Sequence, residues 1–489
     1  MKNFITSIIS LLALGATSWA NTSEGDFLIK VTPQVKAQIM QSLSASNMGA
    51  KDLEFNEWIQ VKVPAAQIAE FNQFRAEPPV GVLHIQPNYK IKIPSMLDQL
   101  NPQKLKMLQD NVDAAGPFDP VPEDNQPFPA QKSGGTGADQ LFGSQWGMVD
   151  IGVEQAWNVT KGNPEIVVAV IDTGVDYTHE DLWDNMWQNP GEMGTDSNGN
   201  NKATNGIDDD NNGYVDDLVG WDFVSNDNKP YDFTTSTLEM LFGGGNPGHG
   251  THCAGNVAAR GDNGKGISGV APFVKIMGVR FLSEKGQGTT AGAIQSIKYA
   301  VDNGAHVLSN SWGSEGEDAD EQQNQALRDA IAYSETNGRL FIAAAGNGHQ
   351  GVGYDNDSDA KPAFPASYNH DIIVSVAALD VNDALGAFSN WGQQSVDIGA
   401  PGVAVFSTTV NNNYSDTVLD FLGTKVTWDG TSMATPHVAG AAALYWSAHP
   451  EKTWREVKEA LLHTAAPISA LNGKSVSGGK LSAQRLLNQ

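Results

Sequence analysis

Three residues far apart in this sequence could together activate a hydroxyl for attack on a carbonyl: Asp172, His249 and Ser432. Ser432 stands in GTSMATPHVAG (430–440), between small residues where an apolar helix should begin. A serine hydroxyl is a poor nucleophile at neutral pH. It needs a base, a carboxylate to orient that base, and donors for the developing oxyanion. Asp172 ends the apolar run VVAVI just before Thr173-Gly174, where a carboxylate would be fixed and partly buried. Taken alone, it reads equally well as an aspartate opening a turn. His249 lies in GHGTHCAGNVAA, whose glycines precede a small-residue helix. His437 follows Ser432 by five residues, about 500° of helix, and so points about 140° away from it. His252 sits one turn beyond His249, and spacing does not separate the two. A zinc reading of His249, His252 and Cys253 lacks the glutamate of an HExxH helix.

The segments IDTGVDYTHEDL, GHGTHCAGNVAA and GTSMATPHVAG are similar to the three active-site signatures of the subtilisin-like serine proteases (subtilases, peptidase family S8). Their order, aspartate then histidine then serine, is the subtilisin order and differs from those of chymotrypsin and the α/β-hydrolases. The resemblance selects His249 as base and leaves His252 structural. It implies that Asn347, closing LFIAAAGN, is the oxyanion donor beside the backbone N–H of Ser432. It also implies that SNSWG (309–313) lays substrate down as an added strand, with Ser311, Trp312 and Gly313 at the specificity pocket and Ala363 of KPAFPASY at its base. Some members carry a cysteine beneath the histidine, as Cys253 would be. With GTSMA intact, a buried unreactive thiol fits Cys253 better than a second nucleophile.

Acidity is concentrated between Asp196 and Met240, with ten Asp or Glu against two lysines. Within it, DDDNNGYVDD places Asp208, Asp210, Asn212 and Asp216 at even spacings around Gly213, with Tyr214 offering its carbonyl. Such spacing could wrap oxygen ligands about calcium. The likeness to an EF-hand loop covers only the first half, because the twelfth position is Val219. A hydrated acidic surface loop is the plainer alternative. The family resemblance implies a further calcium site from Asp181, Asn263, the carbonyls of Lys265 and Ile267, and Asp139. Calcium would then be a structural cofactor.

These residues need a scaffold that brings strand ends together. From Asp139 onward, EIVVAVIDTG, VKIMGVRFL, HVLSNSWG, RLFIAAAGN and DIIVSVAAL read as strands apolar on both faces, separated by helical patterns. That pattern predicts an α/β fold with a mostly parallel central sheet in three layers, whose active site lies at the carboxyl ends of the strands. Residues 21–100 read as a small α+β domain. Phe27–Val31 is a strand, Thr32 an N-cap before Pro33, and Val35, Ile39 and Leu43 form one helical face. WIQVKVP alternates like a half-buried strand, Ala65–Phe74 is a helix, and Val82–Ile93 is strand again. The order resembles the ferredoxin-like, inhibitor I9-like propeptide of subtilases. Residues 101–138, rich in proline and glycine, read as a linker holding the expected maturation cut.

Lys2, an apolar stretch and Ser18-Trp19-Ala20 make residues 1–20 a secretory signal in appearance. No later stretch approaches the ~20 apolar residues of a membrane helix. The formal charge of −26 argues against nucleic acid or anionic membrane as partner. A single cysteine rules out an intramolecular disulfide, so an exported chain must rely on core or metal. The resemblance implies a monomer in the medium or the periplasm, acting on protein and peptide substrates and inhibited by its own propeptide. A catalytically inactive relative serving as a calcium-binding or adhesive module would not require all four of Asp172, His249, Ser432 and Asn347.

Overall fold

The computed structural model describes residues 22–93, 106, 138–235, 240, 245–314, 316, 324–349, 351–421 and 424–489. The expected signal segment and nearly all of the expected linker lie outside the described residues.

The larger domain is built on seven parallel strands in the order β12-β11-β10-β9-β5-β7-β6. These are β5 (Val167–Asp172), β6 (Gly220–Asp222), β7 (Lys275–Arg280), β9 (Val307–Asn310), β10 (Leu340–Ala344), β11 (Ile373–Leu379) and β12 (Ile398–Pro401). Two two-residue strands, Gly479–Lys480 and Ala466–Pro467, extend the β12 edge. The five strands expected from sequence are β5, β7, β9, β10 and β11, which stand together at the centre. Their residues are buried almost throughout, which is why they read as unbroken apolar runs. The edge strands β6 and β12 carry glycine, proline and aspartate and gave no such signal.

Helices cover both faces of this sheet. The helix α3 (His249–Ala258) packs on β5 and against α6 (Thr431–Ala448), which crosses β9 to β12. Thr431 to Trp446 of α6 are all buried. Such a helix needs small or apolar residues all round, and the alanine-rich sequence supplies them. The helices α4 (Thr290–Asp302) and α5 (Gln325–Thr336) pack together and against β5, β7 and β10.

The N-terminal domain contains β1 (Thr22–Val31), α1 (Pro33–Ala45), β2 (Gly49–Asp52), β3 (Trp58–Lys62), α2 (Ile68–Ala76) and β4 (Val82–Lys92). Sequence gave no sign of β2, whose four residues are partly exposed. Thr32 precedes α1 in an extended conformation, but its side chain makes no capping bond. Nor is β3 half-buried. Ile59 and Val61 pack with Ile39, Leu43 and Phe71 in the domain's own core, while Trp58 and Leu28 join the core of the larger domain. Both faces of this sheet are therefore covered.

The second face sits on the first turns of α4 and α5. Asn88 Oδ1 accepts from Ala291 N at 2.9 Å, and Gln86 Oε1 accepts from Ala326 N at 3.0 Å. Each satisfies a helix-end donor that would otherwise be orphaned. Asp329 on α5 receives Trp58 Nε1 at 2.9 Å and pairs with Lys30. The domain's last strand also joins the larger domain. β4 runs antiparallel to β8 (Gln287–Thr289), pairing Ile91 with Gly288 and Lys92 with Gln287.

Candidate active site

All seven long strands run the same way, so their carboxyl ends lie along one edge. Asp172 is the last residue of β5, Ser311 follows β9, and Asn347 follows β10. The two helices carrying the other groups start at that edge. Asn246 Oδ1 accepts from the N–H groups of Gly248 and His249, at 2.9 and 2.7 Å, and so starts α3. Gly248 takes φ +93°, the left-handed conformation that lets the chain enter the helix at this angle.

His249 Nδ1 lies 2.8 Å from Asp172 Oδ1, which also accepts from Thr173 N at 2.7 Å. Both side chains are buried. Burial opposes a charge on the ring, but the Asp172 carboxylate outweighs it and holds the His249 pKa well above the usual 6.5. The far nitrogen, Nε2, is buried without a hydrogen-bond partner. Ser432 lies in the first turn of α6, and its hydroxyl donates to the Ser311 carbonyl at 3.0 Å. The Ser432 hydroxyl is thus bonded to the Ser311 carbonyl rather than to His249, whose Nε2 is left without a partner.

The other candidate residues separate cleanly. His252 Nε2 meets the Val405 carbonyl at 3.0 Å and its ring stacks on Trp428; burial lowers its pKa to about 3. His437 Nδ1 meets Met433 O. Burial pushes the Cys253 thiol up, so it stays neutral, 3.9 Å from His249 Nδ1.

Pro436 is where the structure adds most. It lies inside α6, beyond the first turn in which proline is readily accommodated. Its missing N–H would have bonded the carbonyl four residues back, that of Ser432. The freed carbonyl instead accepts from Ser311 Oγ at 2.9 Å and Cys253 Sγ at 3.5 Å. Proline, cysteine and serine together fix the peptide of the nucleophile, a role no single-residue reading of the sequence suggested.

Asn347 is held by Thr431, whose N and Oγ1 both donate to its Oδ1 at 2.9 Å. That leaves Nδ2 for another acceptor. A Cβ placed on Gly430 would lie 3.4 Å from Asn347 Nδ2 and 3.5 Å from Ser432 N. Both donors therefore border the same small space. Thr431 was not singled out from sequence, although a residue flanking the serine inside its own motif was the place to look. A cavity lined by Ser311, Trp312, Gly313, Asn347, Ala363 and Ser432 opens from this point. Ala363 is buried against Gly346, where an added Cβ would come within 2.7 Å of its own. The Trp312 ring meets Phe281 edge-on at 5.0 Å.

Main chain already occupies part of this cleft. Lys92 N donates to Gly313 O at 3.4 Å, and Ile93 N donates to Gly286 O at 2.9 Å. The end of β4 is thus laid between the 286–289 and 311–313 segments as an added strand.

The calcium candidates divide in two. Asp181 is fully buried and accepts from Asn263 Nδ2 at 2.6 Å and Ile267 N at 2.8 Å. Asp139 receives Asp262 N and Asn263 N, and Lys265 N donates to Asn263 Oδ1. All five residues expected there are brought together. Burial raises the Asp181 pKa to about 6, and the Asn263 side-chain amide and the Asp139 carboxylate stand beside it, hard oxygen-bearing groups of the kind that fit calcium. In the acidic loop, Asp208 and Asp210 both accept from Asn212 N at 3.1 Å. Asp216 instead turns to Gly206 N, and the Tyr214 ring packs among Trp221, Phe223 and Tyr299. Asp208 and Asp210 thus converge on Asn212, with Asp208 also on Gly213 N, while Asp216 pairs with Gly206.

Comparison with known proteins agrees with this architecture. Residues 163–485 match the model of the subtilase family. A thermophilic serine proteinase of Bacillus sp. (strain AK1) is 35% identical over 67% of this chain, and the match spans 63% of that protein's length. Thermitase of Thermoactinomyces vulgaris is 33% identical over 71% of this chain and 97% of its own. The crystal structure of fervidolysin from Fervidobacterium pennivorans, a keratinolytic enzyme related to subtilisin, superposes with a TM-score of 0.65 at 22% identity. That likeness covers 97% of this chain, including the N-terminal domain, and 62% of fervidolysin, and it speaks to fold. The parallel sheet, the edge where its strand ends meet the starts of α3 and α6, and a family match over two thirds of the chain agree: this chain belongs to the subtilase family.

Proposed function

We propose that the chain is a serine endopeptidase, exported, stabilised by calcium and made with an inhibitory N-terminal domain. The observation that carries the reading is the buried Asp172–His249 hydrogen bond at the strand edge where Ser432 begins α6. In the reaction the Ser432 hydroxyl leaves the Ser311 carbonyl, gives its proton to His249 Nε2, and attacks the peptide carbonyl. Asp172 keeps the ring oriented and stabilises the imidazolium. Asn347 Nδ2 and Ser432 N donate to the oxyanion. His249 then returns the proton to the leaving amine, and water cleaves the acyl-enzyme by the same route in reverse.

Calcium at Asp181, Asn263, Asp139 and the Lys265 and Ile267 carbonyls would stabilise the fold by binding the native state alone. The strand Ile91–Ile93, lying where substrate would lie, supports a propeptide role for residues 21–100, with maturation in the 101–138 linker and a signal peptide at 1–20. Full-length protein in calcium buffer, treated with a fluorophosphonate probe, is expected to label once the N-terminal domain is removed. Labelling that persists in Ser432→Ala, or that never occurs in the parent, overturns the reading.

A further inference from the structure

Asp172 and His249 are joined a second time, through the residues that stand beside them. Thr173 follows Asp172, and its Oγ1 accepts from Gly250 N, next to His249, at 2.9 Å. The same hydroxyl donates to Asp232 Oδ1 at 2.9 Å. Asn246 Nδ2 donates to that oxygen at 2.6 Å, while Asn246 Oδ1 holds the N–H groups of Gly248 and His249. The other oxygen, Asp232 Oδ2, accepts from Thr251 N at 2.9 Å and Thr251 Oγ1 at 2.7 Å. One buried carboxylate thus grips the end of β5 and the first turn of α3 together.

The 230–235 segment delivers this carboxylate. Val175 N donates to Pro230 O at 2.9 Å, and Thr235 N donates to Asn246 O at 2.9 Å. Gly174 takes φ +110°, and a Cβ there would fall 2.5 Å from Tyr231 O. The segment therefore lies directly against the turn that follows Asp172.

The donor set admits only a carboxylate. Four neutral donors fill the four acceptor positions of an ionised Asp232. Burial raises its pKa, and these bonds oppose the rise. The two hydroxyls can turn, but the two N–H donors cannot. Thr251 N belongs to the helix backbone, and the Asn246 amide is fixed by the bonds that start the helix. They face different oxygens. An asparagine at 232, in either orientation, would press its own NH₂ group against one of them.

We propose that Asp232 is a positioning residue, setting His249 at bonding distance from Asp172 by gripping the neighbours of both. Its consequence for rate rests on the peptidase reading; its hold on the pair does not. A reacting group displaced by about 1 Å can cost about 10²-fold in rate.

The first test is NMR titration of His249 in full-length Ser432→Ala protein. The titratable groups against the ring are Asp172 from β5 and Cys253 from α3, with His252 one turn along. In Asp232→Asn the ring should bind its proton at least about tenfold more weakly than in the parent. Thr173→Val changes no charge, so the same weakening there reports position rather than a lost carboxylate. Thr173→Ser should restore what Thr173→Val loses. With Ser432 intact and the full-length chain allowed to mature, Asp232→Asn and Thr173→Val should each lower kcat by about 10²-fold, with KM within about threefold. The double variant should be no slower than the worse single one, since both act along one path. Should Asp232→Asn fail to fold, Thr173→Val decides alone. A folded Asp232→Asn or Thr173→Val whose His249 titrates as the parent's does overturns the proposal. If both variants move His249 while the parent cleaves no peptide, Asp232 still positions the pair and the peptidase reading falls.

Discussion

The strand-edge site and the acidic loop assemble their groups in opposite ways. At the edge, Asp172 and His249 are 77 residues apart and Ser311 and Ser432 are 121 apart, yet each pair meets. Parallel strands bring their ends together whatever the length of the connections. In the loop, Asp208 and Asp210 are near neighbours in sequence and share the Asn212 N–H, while Asp216 turns to Gly206. Glu192 and Asp217, which no regular spacing connects, come within reach of Asp210. Proximity in the chain was the weaker guide.

The largest effect that would sharpen this contrast is that of Asp172→Asn, which should cost about 10⁴ in kcat on a peptide substrate. Asn347 follows. Asn347→Ala should lower kcat by about 10²–10³, the range known for the oxyanion asparagine of subtilisin, with KM within about threefold. An unchanged kcat on a peptide substrate would mean the edge does not form one site.

Next is the pH profile. Below its pKa His249 already holds a proton and cannot take that of Ser432, so activity rises with pH through that value. Because Asp172 raises it, the acid limb of kcat/KM should fall above pH 6.5. The same Asp172→Asn change should also move the limb down. A limb at or below 6.5 in the parent would show that the carboxylate does not govern the base.

The smallest effect is expected at Asp208. It caps turns within the loop, accepting from Asn212 N and Gly213 N. Asp208→Ala should cost no more than about 1 kcal/mol in chemical denaturation and leave calcium stoichiometry unchanged. Loss of a calcium ion in this variant would restore the spacing-based ligand set.

The same contrast explains how much the sequence disclosed. Asp172, His249, Asn347 and Ser432 are embedded in motifs whose neighbours are themselves constrained. Gly248 must turn, Gly430 must leave room for two donors, and Thr431 must hold Asn347. Central strands were readable because burial on both faces demands continuous apolar residues. β2 was not, since four partly exposed residues carry no period. The covered second face of the N-terminal sheet was not, because its partner is another domain. The role of Pro436 was not legible either, because it acts through an N–H it lacks and a carbonyl, that of Ser432, four residues away.

The strand laid between Gly286 and Gly313 has a kinetic corollary. A substrate that binds by strand addition competes with Ile91–Ile93 for the same backbone groups. Its apparent affinity on the intact chain is its intrinsic affinity multiplied by the fraction of molecules whose cleft is clear. The intact chain should therefore need more substrate for half-maximal rate than the chain freed of its N-terminal domain, and whatever loosens Asp329 from Lys30 and Trp58 should narrow that difference.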